Sequence, residues 1–321
     1  MSSSLSFSAG RGFKLTKEGT FAEFLGIKYR TDEDGNIHLS QEGLIKKILE
    51  TTGLTHCKPN RTPGKKEPLG LDPDGPPMTE SWSYPSVVGM LLYLSTNCRP
   101  DICYYVSSVA RFTHDPKQSH AAAVKAICRY LKGTMCEGTI IRTSDKLSLE
   151  CFCDADFAGL YNHDPPHLSS SVKSRGGYII KLSGCPLVWK SQLMSSICLS
   201  TAEAEYYSLS IALRALMPVK RLIEEMVKML ELPFATEMDT IHTTVREDNQ
   251  AALSLAVNQR ITSRTRHYLA RWHFFWEIVN DPKQNIEIVY CPTSEQEADY
   301  LTKGLDYETF VKFRKLVQQG W

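Results

Sequence analysis

The sequence predicts a mixed α/β fold, a mixed sheet with helices on its faces, preceded by a mainly helical segment. Three observations predict it. The second half of the 321-residue chain reads strand, strand, strand, helix, strand, helix, helix, strand, helix. The first half carries three consecutive apolar segments with helical spacing. The composition is globular, 42% apolar and 23% charged, which excludes wholesale disorder.

In chain order, FAEFLGIKY reads as a strand, Asp34-Gly35 as a turn and IHLS as the returning strand. Residues 41–52 have helical apolar spacing at Leu44, Ile45, Ile48 and Leu49, with Gly53 as the stop. Residues 57–80 hold six prolines and read as an irregular surface linker. YPSVVGMLLYLSTN, RPDICYYVSSVARFTH and DPKQSHAAAVKAICRYLKGT are the three helices. LSLECFC, RGGYIIKL and PLVWKS are strands, the last two joined by Ser183-Gly184. A long helix starts at Ala202, with a kink or break expected at Pro218. IHTTVRE is a strand, DNQAALSLA a short helix, 266–279 a helix, IEIVYC a strand and SEQEADYLTK a helix.

Other classes are excluded or disfavoured. No run of 18 apolar residues occurs, so no membrane-spanning helix is expected. Residues 1–8 are polar and show no secretory signal. Net charge is +1, so there is no overall basic field; a local basic track beside an acidic site stays compatible with it. Ten cysteines show neither CxxC pairs nor zinc-like Cys–His spacing. They read as reduced core thiols of an intracellular protein, cytoplasmic or nuclear.

Four acids fall at element ends: Asp154 after the first strand of the second half, Glu205 early in the long helix, Asp248 after IHTTVRE, and Asp299 in the last helix. Ligand sites in sheets with crossover helices gather at strand C-termini. Carboxylates brought together there repel unless a cation lies between them. An all-oxygen set suits Mg²⁺, with Mn²⁺ as substitute, and two such ions serve phosphodiester hydrolysis. The competing reading is chance, since the chain has 36 acids. Glu203 fits a capping box with Ser200 and is read as structural.

CDADFAG, SRGGYIIKLSGCPLVWKS, LSTAEAEYYSLS, EDNQAAL, RTRHYLARWHFF and ADYLTKGL run in order across 151–305. Together they resemble the ribonuclease H domain of copia-type retrotransposon polyproteins. FLGI, HLSQEGLIKKIL, YPSVVGMLLYL, RPDI and AVKAICRYLKGT resemble the segment before it, the end of the reverse transcriptase and its connection. The resemblance covers about residues 20–321. It implies a ribonuclease H-like five-stranded mixed sheet with helices on both faces. It also implies Mg²⁺-dependent cutting of the RNA strand of RNA–DNA hybrids by a two-metal mechanism. Asp154, Glu205, Asp248 and Asp299 are then the catalytic, metal-binding acids. Glu205 is preferred over Glu203 because the family's acid directly precedes the aromatic or apolar residue, here Tyr206. Asp156 is read as a turn residue.

The implied organisation is a disordered 1–19, a reverse-transcriptase-like segment 20–143, a ribonuclease H-like domain 144–305 and a helical tail 306–321. The polymerase's Tyr-x-Asp-Asp hairpin is absent, so the chain resembles the tail of a polyprotein and is not expected to polymerise DNA. The implied partners are the hybrid and the polymerase portion of the polyprotein, with no membrane. The loop before the last acid, CPTSEQEA, lacks the His that many cellular ribonucleases H carry there. Candidate hybrid contacts are Asn249, Gln250, Arg266, His267 and Lys303, with Lys173, Arg175 and Arg264 as further phosphate contacts. The alternative is a catalytically silent retroelement remnant that at most binds nucleic acid.

Overall fold

The computed structural model describes residues 23–142, 144, 146–231, 241–258 and 274–319. Two sheets form. A small antiparallel sheet joins β1 (Glu23–Phe24), β2 (Ile27–Thr31), β3 (Ile37–Ser40) and β4 (Thr139–Ile141) in that order. The expected FAEFLGIKY strand is split, because Leu25 and Gly26 adopt positive φ and fold it into a tight hairpin. β4 has no alternating run long enough to signal it in the sequence.

The second sheet is formed by β5 (Leu149–Asp156), β6 (Arg175–Leu182), β7 (Cys185–Leu193), β8 (Thr243–Glu247) and β9 (Ile286–Tyr290). Its order is β7-β6-β5-β8-β9. The first three strands are antiparallel, whereas β5, β8 and β9 run parallel. This is the expected ribonuclease H-like five-stranded mixed sheet. Ser183 and Gly184 both take positive φ in the tight β6–β7 turn, the geometry of a two-residue hairpin loop.

Side-chain alternation divides this sheet into two faces. Cys151, Cys153, Ala155, Tyr178, Ile180 and Val245 pack on one face with α5 (Thr201–Met229). α6 (Gln250–Asn258) and α7 (Phe274–Val279) cover the same face. Phe152, Ile179 and Trp189 point to the other face. There they meet α1 (Glu42–Thr51), α2 (Tyr84–Asn97), α3 (Cys103–Ala110) and α4 (Gln118–Gly133) in one continuous core. α8 (Asp299–Thr302) and α9 (Tyr307–Val317) complete it. Trp189 Nε1 donates to the Ser95 carbonyl at 2.7 Å, tying β7 to α2. Helices therefore lie on both faces, and the N-terminal helices supply one of the two layers.

Three local features differ from expectation. α5 runs unbroken through Pro218, with Leu216, Met217 and Lys220 buried around it. Tertiary packing outweighs the one helix bond a proline removes. SEQEADYLTK forms a 3₁₀ turn, Thr293–Glu295, and then the short α8. Residues 57–80 are irregular as predicted, yet they are anchored: Leu71 N donates to buried Asp164 at 3.0 Å, and Asp164 also pairs with Arg111. Ser200 caps α5 as a capping box predicts, accepting from Glu203 N at 3.2 Å, and Glu203 accepts from Leu199 N at 2.7 Å. The cysteines are free, and eight of the ten are buried. No helix among the described residues is long and apolar enough to cross a membrane.

Candidate metal centre

The C-terminal edge of β5 and β8 carries the acids. Asp154 is on the side of β5 facing α8, opposite Gly177 of β6. That glycine is required: a Cβ there would lie 2.8 Å from Leu301 Cβ and 2.9 Å from Thr302 Cγ2. Its absence lets α8 close against the strand, which brings Asp299 and Thr302 to Asp154. Thr302 Oγ1 donates to Asp154 Oδ2. Lys303 Nζ pairs with Asp299 Oδ1 at 2.8 Å. Asp248, just past β8, accepts from Thr293 Oγ1 at 2.8 Å. One carboxylate oxygen each from Asp154, Asp248 and Asp299 lies within 4.8 Å of the others.

Glu205 projects from the first turns of α5, on the opposite face of the sheet. Its ligand atom groups within 4.8 Å with those of Asp248 and of Glu247, which the sequence reading did not select. Glu247 is fully buried and ends β8 on the inward side shared by Thr243 and Val245. It accepts from Asn249 N at 3.0 Å and from the Cys153 thiol at 3.5 Å. Strand alternation alone would have placed this acid inside.

Electrostatics mark the cluster as short of positive charge. Burial, then Asp299, pushes the Asp154 carboxyl up to about 7 despite Lys303 and Thr302. Burial and the neighbouring acids push Glu247 up to about 8. Glu205 goes higher still, to about 11, from burial and then from Asp154, Glu247 and Asp248. Burial also raises Asp299, against the pull of Lys303. Glu205 Oε2 is buried without a hydrogen-bond partner, an arrangement that is costly unless something else fills it. An all-oxygen donor set with an orphaned carboxylate oxygen fits Mg²⁺ or Mn²⁺.

The remaining predicted contacts divide. Asn249 Oδ1 caps α6, accepting from Ala251 N and Ala252 N at 3.0 Å each. Gln250 is exposed beside it, and Lys303 reaches the centre with its side chain 41% exposed. Arg266 and His267, with Arg264, lie outside the described residues. Arg175 is not an available phosphate contact. It is buried, donates to Ser107 Oγ at 2.7 Å and to Ser191 Oγ at 3.1 Å, and lies over the Tyr104 ring. It joins β6 to α3.

No protein-family model matches the chain. The chain is 30% identical over 316 residues to the retrovirus-related Pol polyprotein from transposon TNT 1-94 of Nicotiana tabacum, matching 96% of this chain and 22% of that one. It is 32% identical over 290 residues to the Pol polyprotein from transposon RE1 of Arabidopsis thaliana, matching 90% and 18%. The chain thus spans about a fifth of the length of these curated relatives. Among solved structures, it is similar to a ribonuclease H1, LC11, in complex with an RNA/DNA hybrid, at TM-score 0.31 and 18% identity over 48% of this chain and 94% of that one.

Proposed function

Because the chain belongs to the copia-type retrotransposon Pol polyproteins, we propose that it is a ribonuclease H, cutting the RNA strand of RNA–DNA hybrids with Mg²⁺. The observation that carries this reading is the meeting of Asp154, Glu205, Asp248 and Asp299 at one sheet edge. Among the described residues, Lys303 is the cation that pairs with these acids, and burial and mutual repulsion leave them in want of more positive charge, as a divalent-ion site requires.

Three of the four acids are held by neighbouring side chains. Thr302 orients Asp154, Thr293 orients Asp248, and Lys303 holds Asp299. Bound divalent ions would supply Lewis-acid activation and charge stabilisation at the scissile phosphate. Gln250, exposed at the start of α6, would read a sugar 2′-hydroxyl or a base edge. Lys303, its side chain partly exposed, would turn its ammonium to a phosphate. Arg266 and His267 extend that track on the strength of the family motif. The polymerase portion of the polyprotein would be the second partner, adding substrate affinity through further phosphate contacts.

The test is cleavage of a labelled RNA–DNA hybrid, with duplex DNA and single-stranded RNA as controls. Cutting confined to the RNA of the hybrid, and lost in EDTA, is expected. Absence of cutting by folded protein in both Mg²⁺ and Mn²⁺ would leave the silent remnant as the reading.

A further inference from the structure

The sheet separates the acids into two groups, and their surroundings differ. On the α8 side, Asp154 and Asp299 have a threonine hydroxyl and the Lys303 ammonium beside them. On the α5 side, Glu205 and Glu247 are both buried, at 4% and 0% exposure. Their hydrogen bonds come from neutral groups, the Asn249 amide and the Cys153 thiol on Glu247. Among the described residues, no Lys, Arg or His forms an ion pair with either glutamate. Glu205 Oε2 is left with no hydrogen-bond partner at all. Asp248, at the strand end, belongs to both groups.

From this we infer that the centre consists of two unequal half-sites: Glu247, with Glu205 and Asp248, takes the first divalent ion, and Lys303 holds the Asp154–Asp299 half until a second ion displaces it. The inference rests on the proposed metal-dependent nuclease and adds a fifth carboxylate to it. The physical reason is Coulombic. Three close carboxylates in a buried setting gain most from a cation when no cation is already there. In the other half an incoming ion must first break the 2.8 Å Lys303–Asp299 pair. Glu247 is a positioning residue or ligand for the ion and takes no part in bond breaking.

The test is Mn²⁺ binding to the whole protein, followed by electron paramagnetic resonance of the free ion. Wild type should show two classes of site, separated by about tenfold or more. Glu247→Gln keeps an oxygen for Asn249 N, and should weaken the first class by roughly 10–100-fold, the range for removing a group that supports a metal site. Lys303→Met should tighten the second class several-fold and leave the first unchanged. Two equal sites in wild type, or an unchanged first class in folded Glu247→Gln, overturns the inference. The wild-type titration decides the matter if Glu247→Gln does not fold. Wild type that binds no Mn²⁺ sinks both this inference and the nuclease reading. Wild type that binds Mn²⁺ and cuts hybrid, with Glu247→Gln indistinguishable from it, sinks this inference alone.

Discussion

Two of the buried clusters of charged side chains are built oppositely. In the N-terminal helical layer, Arg99 and Asp101 are fully buried. Arg99 Nε and Nη2 donate to the two Asp101 oxygens at 2.9 and 2.8 Å. Tyr130 donates to Asp101 at 2.6 Å, and the Thr134 carbonyl and hydroxyl accept from Arg99 at 2.8 and 2.7 Å. Burial opposes ionisation there, yet Arg99 holds Asp101 below the usual carboxylate range. At the sheet edge the acids rise instead, because burial and mutual repulsion outweigh Lys303. A completed ion pair is architecture, whereas the uncompensated acids in the same protein are a cost that the proposed metal centre would offset.

The largest expected effect separates the two clusters by activity. Asp248→Asn should abolish hybrid cleavage, measured on labelled substrate, while the fold persists by circular dichroism. Asp101→Asn should keep the cleavage rate per folded molecule, since Asp101 is in a different cluster from the acids. Equal activity loss in both variants would erase the distinction.

Stability should separate them the other way. Asp101→Asn leaves Arg99 buried and unpaired, at a cost of about 3–5 kcal/mol, read from urea unfolding. A loss below about 1 kcal/mol would show that water or another acid replaces Asp101.

Metal should act on one cluster only. At a hundredfold excess over its dissociation constant, Mg²⁺ should stabilise the protein by about 2.7 kcal/mol, visible as a higher melting temperature. Asp248→Asn should lose most of that gain and Asp101→Asn none of it. An unchanged gain in Asp248→Asn would remove Asp248 from the centre.

The smallest effect is in pH dependence. Asp154, Glu247 and Glu205 are raised to about 7, 8 and 11, above their unfolded values. The folded protein therefore binds more protons than the unfolded chain from about pH 4 upward, so metal-free stability falls as pH rises through pH 8 and on toward about pH 11. Asp101, shifted down, has the opposite sign and acts only as pH falls below the ordinary carboxylate range. Urea unfolding in EDTA at a series of pH values checks this, and Mg²⁺ should flatten the decline because binding expels those protons. A metal-free stability that climbs from pH 5 to pH 8 would count against raised acids.

The sequence showed the sheet's strands plainly, because Leu149–Asp156, Arg175–Leu182 and Ile286–Tyr290 are runs bounded by turn residues. It also pointed to Asp154, Asp248 and Asp299, which converge through long-range pairing of β5, β8 and α8. Glu247 was missed because the reading took Asp248, just past IHTTVRE, as the acid of that strand end and did not follow the alternation that puts Glu247 on the buried side with Thr243 and Val245. Arg175 was misread as a phosphate contact because its partners Ser107 and Tyr104 are far away in sequence. The sharing of one core by the N-terminal helices and the sheet, through Trp189 and Ser95, is likewise a long-range contact that local patterning does not encode.

The central claim is that the sheet-edge acids are kept at the expense of stability in order to hold divalent ions. The most direct measurement is the melting temperature of Asp248→Asn, the acid common to both groups, beside wild type at about pH 8, in EDTA and then in Mg²⁺. Removing one repelling charge should raise the melting temperature in EDTA and sharply reduce the rise that Mg²⁺ gives to wild type. A lower melting temperature in EDTA, with the Mg²⁺ response intact, would show that Asp248 is a structural acid and that the Mg²⁺ response arises away from this centre.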